Sequence, residues 1–439
     1  MTRISFASFI SLIASAAVSL LVGPNAWSGQ TTLKDLDKSP GTARITLQDL
    51  ESKKGLQVQM VDDALALGVH HAAFNVDLVE MTATRPAIEN ESIAFEGERF
   101  EFDRHYVEML DATILPLTTR DVSVYLILLA CNPSKPDLNT ALIHPRFEAT
   151  RAPISAFKTS DPASAKRFQA SVTFLAQRYI VNGGPPVHFI VGNEVNSHGF
   201  WYNMGEARLD DVVAEYEHTV RLCRDAVRGV SKTSRVFVSL DHHWGASASP
   251  NEPLKSFGAR AFLDAFARRV KANGDFGWHV AFHPYPENLF DPRTWNDRDA
   301  TLTVDTPKIT FKNIELLNDF MKRPELMYGG KPRRIILSEQ GFHTANGPEG
   351  EAVQAAAYAY AYQKTKQLDG IDAFILHRHV DHLHEGGLNL GLWTCDKANN
   401  PAKKKAIYDV FRAADTFDWE EAFRFALPII GISSWAELR

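Results

Sequence analysis

Cysteine is scarce in this chain: Cys131, Cys223 and Cys395 are the only three among 439 residues. Three thiols so widely spaced build neither a disulfide framework nor a thiolate metal site. Cys223 falls on the apolar stripe of a helical segment and reads as a small core residue. Cys131 and Cys395 each follow a strand-like run, so one bridge between them stays open. Positive charge is also in the minority. Lys and Arg number 47 against 53 Asp and Glu, a net charge of −6, and no basic stripe or arginine-rich run occurs. A nucleic-acid partner therefore has no electrostatic support. No glycine-rich phosphate or dinucleotide fingerprint follows any strand-like run, so no nucleotide cofactor is expected. Beyond residue 28 no apolar run is long enough to span a bilayer, and the mature chain is expected off the membrane.

Residues 1–28 differ from the rest. Arg3 is the only charge; an apolar, small-residue run follows from Ile4 to Val22, then Pro24, Asn25, Ala26 and Ser28. That is the charged, apolar and small-residue order of a cleaved signal peptide, predicting a secreted or periplasmic protein. A retained membrane anchor is the alternative, since a run of about 19 apolar residues nearly spans a bilayer. Residues 29–439 are expected to form one domain, with a tail from about residue 415 packed on it. The 45% hydrophobic and 23% charged composition is ordinary for a globular fold.

The body of the sequence alternates between two periods. Short runs rich in Val, Ile and Phe mark strands at 44–47, 69–76, 122–130, 187–191, 235–240, 278–283, 334–338 and 371–377. Helical spacing appears near 57–67, 103–119, 209–227, 257–273, 309–322, 351–367 and 404–413. Another helix begins at Asp161-Pro162, where the aspartate caps an orphan N–H and proline has none to lose. Apolar strands alternating with helices imply a parallel sheet covered on both faces. Eight such units predict an α/β fold of the (β/α)8 barrel type, with an open doubly wound sheet as the fallback. Two long connections, 77–102 and 131–160, follow strand ends, the face where barrels carry their binding loops.

Polar residues where barrel strands end are candidates for chemistry, because the strands themselves are apolar core. The fourth strand ends in Gly192-Asn193-Glu194-Val195-Asn196, and the seventh ends in Ser338-Glu339-Gln340-Gly341. These strands lie almost opposite one another, so both carboxylates can converge over the mouth. Such a pair suits glycosidic-bond hydrolysis: one carboxyl protonates the leaving oxygen while the other attacks the anomeric carbon. The sixth strand adds His283-Pro284-Tyr285, whose tyrosine can hydrogen-bond a carboxylate. Asn193 can hold a sugar hydroxyl, and Trp201 and Trp244 offer aromatic faces for sugar C–H groups. His243, His283, His377, Arg378 and Trp393 complete the expected substrate contacts. Arg378 would suit an acidic or sulfated glycan, although a lone rim arginine is commonly an ion-pair partner.

Asn-Glu ending strand four, Glu ending strand seven and His-x-Tyr ending strand six resemble the retaining (β/α)8 glycosidases of clan GH-A. The longer patterns Gly192–Gly199 and Ser338–Gly341 also resemble a bacterial family of exported barrels of unknown function. The clan resemblance implies Glu194 as acid/base, Glu339 as nucleophile and Tyr285 as the nucleophile's neighbour. It would make the chain a retaining glycoside hydrolase acting on an extracellular or periplasmic oligo- or polysaccharide, without a cofactor or catalytic metal. This sequence departs from the clan at strand eight, where a tryptophan is usual; here the run is Leu376-His377-Arg378-His379, and Trp393 comes later.

Two other readings compete. His70, His71, His242, His243, His283, His377, His379, His382 and His384 raise a metal-dependent barrel hydrolase. Against it, adjacent histidines on a strand point to opposite faces. The other reading is a barrel that binds carbohydrate without cleaving it.

Overall fold

The computed structural model describes residues 52–83, 89–131, 140–149 and 153–438. Eight parallel strands close into a barrel: β1 Lys54–Gln57, β2 His71–Asp77, β3 Ser123–Cys131, β4 Val187–Val191, β5 Val236–Asp241, β6 His279–His283, β7 Ile335–Gln340 and β8 Ile371–Leu376. Each pairs with its neighbour in sequence, and β1 closes the ring by pairing with both β2 and β8. The two-residue strand Ile154–Ser155 adds antiparallel to the end of β3. The expected barrel is therefore observed.

One stave is not where the sequence pattern put it. The Arg44–Leu47 run lies outside the described residues, and Lys54–Gln57 supplies β1 instead. Four residues, KGLQ, are too short and too mixed to show a period, and the helical spacing assigned from residue 57 masked them. Gly55 fits because its neighbours leave no space: a Cβ there would come within 2.9 Å of His71 and Ile375.

A helix follows each strand: α1 Val61–Ala66, α2 Arg104–Thr118, α3 Pro162–Tyr179, α4 Leu209–Val230, α5 Ala259–Ala272, α6 Glu315–Phe320, α7 Pro348–Lys366 and α8 Ala406–Ala413. Alternation along the strands sorts the core into two layers. Val236, Val238 and Leu240 of β5 face the helices, while Phe237 joins Tyr125, Ile190, Ile336 and Ile375 inside the barrel. At the opening where the strands begin, Asp372 is shared between Arg235 (2.8 Å) and Arg334 (2.9 Å). That end is closed by ion pairs and is the structural face of such a barrel.

The connection after β2 carries an antiparallel hairpin, Glu91–Phe95 with Glu98–Phe102. After α8 the chain forms two short helices, Trp419–Phe423 and Ala426–Ile430, that lie against α7 with Phe423 and Ala426 fully buried. Cys131, Cys223 and Cys395 are all free thiols, so the bridge left open between the first and last is not formed. Among the described residues no helix is long and apolar enough to cross a membrane.

Candidate active site

Glu194 and Glu339 reach the cleft by departures from regular strand geometry. On β4, alternation ends at Val191. Gly192 then takes φ +68°, and a Cβ there would meet the Tyr202 ring at 2.6 Å, so only glycine fits. Glu194 itself sits in the left-handed region, φ 40° and ψ 52°, its N–H donating to Ser239 Oγ at 2.9 Å. On β7, Leu337 pairs with Phe374 but Gln340 pairs with Leu376, so β7 carries one residue more than β8 over this stretch. This bulge re-aims the strand end. Consecutive Ser338 and Glu339 both act at the mouth: Ser338 Oγ meets His283 Nε2 at 3.0 Å, and Glu339 Oε1 accepts from the Tyr285 hydroxyl at 3.0 Å.

The two carboxylates and His283 form a tight triangle, with one oxygen of each glutamate and one imidazole nitrogen all within 4.8 Å of one another. His283 Nδ1 lies 2.9 Å from Glu194 Oε1. Burial raises the Glu194 pKa to about 7, further raised by the charges of Asp241 and Glu339 and only partly offset by His283. Burial also pushes Glu339 upward, but the charges of His377 and His283, with hydrogen bonds from Tyr285 and Gln57, outweigh it and hold that carboxyl below its ordinary value. Burial and the adjacent Glu339 push the Tyr285 hydroxyl well up, so it stays a donor. Two similar carboxyls are thus driven apart in acidity by their surroundings.

A chain of hydrogen bonds supports Glu339 from behind. Gln57 Nε2 donates to Glu339 Oε2 at 3.3 Å, and Gln57 Oε1 faces His377 Nδ1 at 2.7 Å. His377 Nε2 faces Glu385 Oε1 at 2.7 Å, and Arg378 Nη1 donates to the other Glu385 oxygen. The two His377 nitrogens thus link the Gln57 amide oxygen to the Glu385 carboxylate. Burial raises the Glu385 pKa, but His377 and Arg378 reverse this and bring it to about 2. Below Glu194, Asp241 accepts from Asn196 Nδ2 (2.7 Å), Ser197 Oγ and the His243 N–H (2.8 Å).

Of the residues singled out in the sequence, Glu194, Glu339, Asn193, Tyr285, His243, Trp201 and His377 line the cleft. His283 sits behind the carboxylates, bonded to both Glu194 and Ser338. Three others are not at the site. Trp244 is 1% exposed, packed edge-on against Phe282 and Phe320 on the helix side of the barrel. Arg378, also 1% exposed, is neutralised by Glu385 and does not reach the cleft. Trp393 donates to Asp63 Oδ2 at 2.9 Å and meets the Tyr408 ring edge-on, away from the cleft.

Nor do the rim histidines converge as a ligand set. His377 is held by Gln57 and Glu385, and His379 Nε2 by Asp63 at 2.9 Å. His382 Nδ1 accepts from the His384 N–H at 3.2 Å. Among the described residues, the metal-sized group is Glu194, His283 and Glu339, in which two members are already hydrogen-bonded to each other.

Gln57, Asn75, Asp241 and Glu385 line the cleft and were not foreseen. Asp241 follows the same rule that singled out Glu194, a polar residue directly after an apolar strand, and was legible. Glu385 lies just beyond the histidine-rich segment, where an isolated acid carries little sequence signal. Gln57 went unseen because β1 did.

The chain belongs to a family of unknown function, DUF5722, whose model matches residues 46–438. Among curated proteins none matches the sequence. Solved structures share the fold. A hyperthermophilic β-glucosidase from Pyrococcus furiosus aligns over 84% of this chain and 86% of its own, at 14% identity and a TM-score of 0.55. A family 39 glycoside hydrolase from Bacteroides cellulosilyticus WH2 aligns over 84% of this chain and 65% of its own, at 14% identity and a TM-score of 0.52. At that identity the likeness is one of fold.

Proposed function

We propose that this member of the family is a retaining glycoside hydrolase, with Glu194 as acid/base and Glu339 as nucleophile. One observation carries the reading: two carboxylates facing each other within 4.8 Å, one pushed up toward neutrality and the other held ionised. Retaining glycosidases space their carboxyl groups about 5–5.5 Å apart, whereas inverting ones need roughly 6.5–9.5 Å to admit a water. The fold shared with a β-glucosidase and a family 39 glycoside hydrolase supports the same chemistry.

In the first step, Glu339 attacks the anomeric carbon as the bond to the leaving oxygen breaks, and Glu194 transfers its proton to that oxygen. Glu194, now ionised, takes a proton from water, whose oxygen displaces Glu339 and frees the sugar with its original anomeric configuration. Asn193 is placed to hold a sugar hydroxyl. His283 orients Glu194 and stabilises its ionised form between the two steps. The substrate is a carbohydrate glycoside outside the cytoplasm, on the strength of the export signal read in residues 1–28. Recovery of the protein in the cytoplasmic fraction, its intact mass still including those residues, would count against that location.

The test is hydrolysis of a panel of glycosides, each sugar carried once on a dinitrophenyl and once on an alkyl leaving group. Glu339→Ala and Glu194→Ala should each remain folded. Each should lose at least about a thousandfold in rate on substrates with ordinary leaving groups. Azide should restore turnover to the Glu194 variant with a glycosyl azide of retained configuration, whereas any rescue of the Glu339 variant should give the inverted azide. Near-normal rates on the alkyl glycosides in either variant would remove the proposal.

A further inference from the structure

The cleft changes character around the barrel. Toward β7, β8 and β1, Glu339, His377, Glu385 and Gln57 offer donors and acceptors, beside Leu388 and Leu390 from the segment after β8. Toward β3 and β4, beyond Asn193 and Ser197, the described lining is apolar. Leu129 of β3, Ile154 on the strand paired with it, and Phe200 and Trp201 in the turn after Glu194 make one surface that continues into the barrel core. Among the described residues lining the cleft there is no lysine or arginine. Arg378, the cation nearest in sequence, is bound to Glu385.

Resting on the glycosidase reading, the sides of the cleft can be assigned. The sugar ring must lie where Glu339 attacks, and the leaving group where Glu194 delivers its proton. The leaving group therefore meets the wall that follows Glu194. An aromatic face alone would suit a second sugar as well as an apolar group. Leu129 and Ile154 decide between them: neither side chain has a donor or acceptor, so hydroxyls buried against them would lose their water without replacement. An alkyl or aryl group loses nothing there and gains by leaving water. We infer that the substrate is a glycoside of an uncharged, apolar alcohol, its sugar toward β7 and β8 and its aglycone on the Leu129–Ile154–Phe200–Trp201 wall. This narrows the sequence expectation of an oligo- or polysaccharide.

The test uses the full-length protein and n-alkyl glycosides, methyl to hexyl, of whichever sugar the dinitrophenyl panel selects. Alkanol acidity barely changes along that series, so bond-breaking chemistry is constant and wall contact is the variable. kcat/KM should climb with every methylene, by up to about fourfold where the methylene is fully buried. Leu129→Asn should flatten the climb. Should that variant misfold, calorimetry of Glu339→Gln keeps the question answerable: hexyl glycoside binding should show a more negative heat-capacity change than methyl glycoside binding. A flat series, or a disaccharide of the same sugar outpacing the hexyl glycoside, overturns the aglycone assignment while Glu339-dependent hydrolysis stands. Failure to cleave any glycoside in the panel would sink this inference and the function together.

Discussion

Glu194 and Glu339 are the same side chain in two electrostatic settings. Both are buried, which alone favours the neutral acid. Glu194 has one strong partner, His283, and two like charges nearby, so desolvation wins. Glu339 has the Tyr285 hydroxyl, the Gln57 amide and the charges of His377 and His283, so the carboxylate wins. Under the proposed function, the kinetic consequence is a bell-shaped kcat/KM profile. Its alkaline limb, where Glu194 gives up the proton it must deliver, is expected near pH 7. Its acidic limb, where Glu339 takes up a proton, is expected below the ordinary glutamate range. Tyr285→Phe removes a hydrogen bond that favours the ionised Glu339, so the acidic limb should move to higher pH. Activity at the optimum should fall about ten- to hundredfold, the worth of one hydrogen bond to a charged group. A Tyr285→Phe profile superimposable on that of the unsubstituted protein would mean the hydroxyl does not govern Glu339.

Elements matter here mostly through their ends. The extra residue of β7 makes Ser338 and Glu339 neighbours at the mouth, and the left-handed backbone at Gly192 and Glu194 turns the end of β4 into the cleft. Away from the site the ends are conventional. Asp161 caps α3 through the Ser164 N–H (3.0 Å) and Ser164 Oγ (2.8 Å), with Pro162 in the first turn. Asp161→Ala should lower stability by about 1 kcal/mol, the usual worth of such a cap, without altering kcat. Urea unfolding followed by circular dichroism would measure the first and steady-state kinetics the second. An unchanged midpoint would show that α3 is held by its packed face alone.

At the scale of the whole molecule, closure of the ring depends on residues from both ends of the chain. β1 sits between β2 and β8, and Ser52 at its start donates to Asp415 Oδ2 at 2.7 Å. Asp415 also accepts from Tyr362 and Lys366 of α7, and the tail beyond it lays Trp419 and Phe423 against Tyr362. The tail thus covers aromatic surface that would otherwise face water and ties α7 to β1. Truncation after Ala414 should lower the melting temperature by several degrees and promote aggregation. Scanning calorimetry with light scattering would detect both. A truncated chain melting like the full-length protein would show the tail to be dispensable for the barrel.

The barrel was legible because its signals are local. Seven of the strand runs coincide with staves to within a residue or two, since a parallel strand buried on both faces must be apolar along its length. The four-residue β1 had too few positions to show any period. Glu194 and Glu339 were legible for a related reason: a charge directly after such a run stands out wherever the chain then goes. Which other groups join them could not be read along the chain. Trp244 and Trp393 look alike in sequence to Trp201, yet only Trp201 faces the cleft, because side-chain direction past a strand end depends on turns and bulges that no period encodes. Gln57, His377 and Glu385 form one hydrogen-bonded chain only when β1 lies beside β8. Chain order alone thus determined the barrel and its two acidic strand ends. The closed ring decided how far apart those acids stand, and burial with charged neighbours decided which of them keeps its proton.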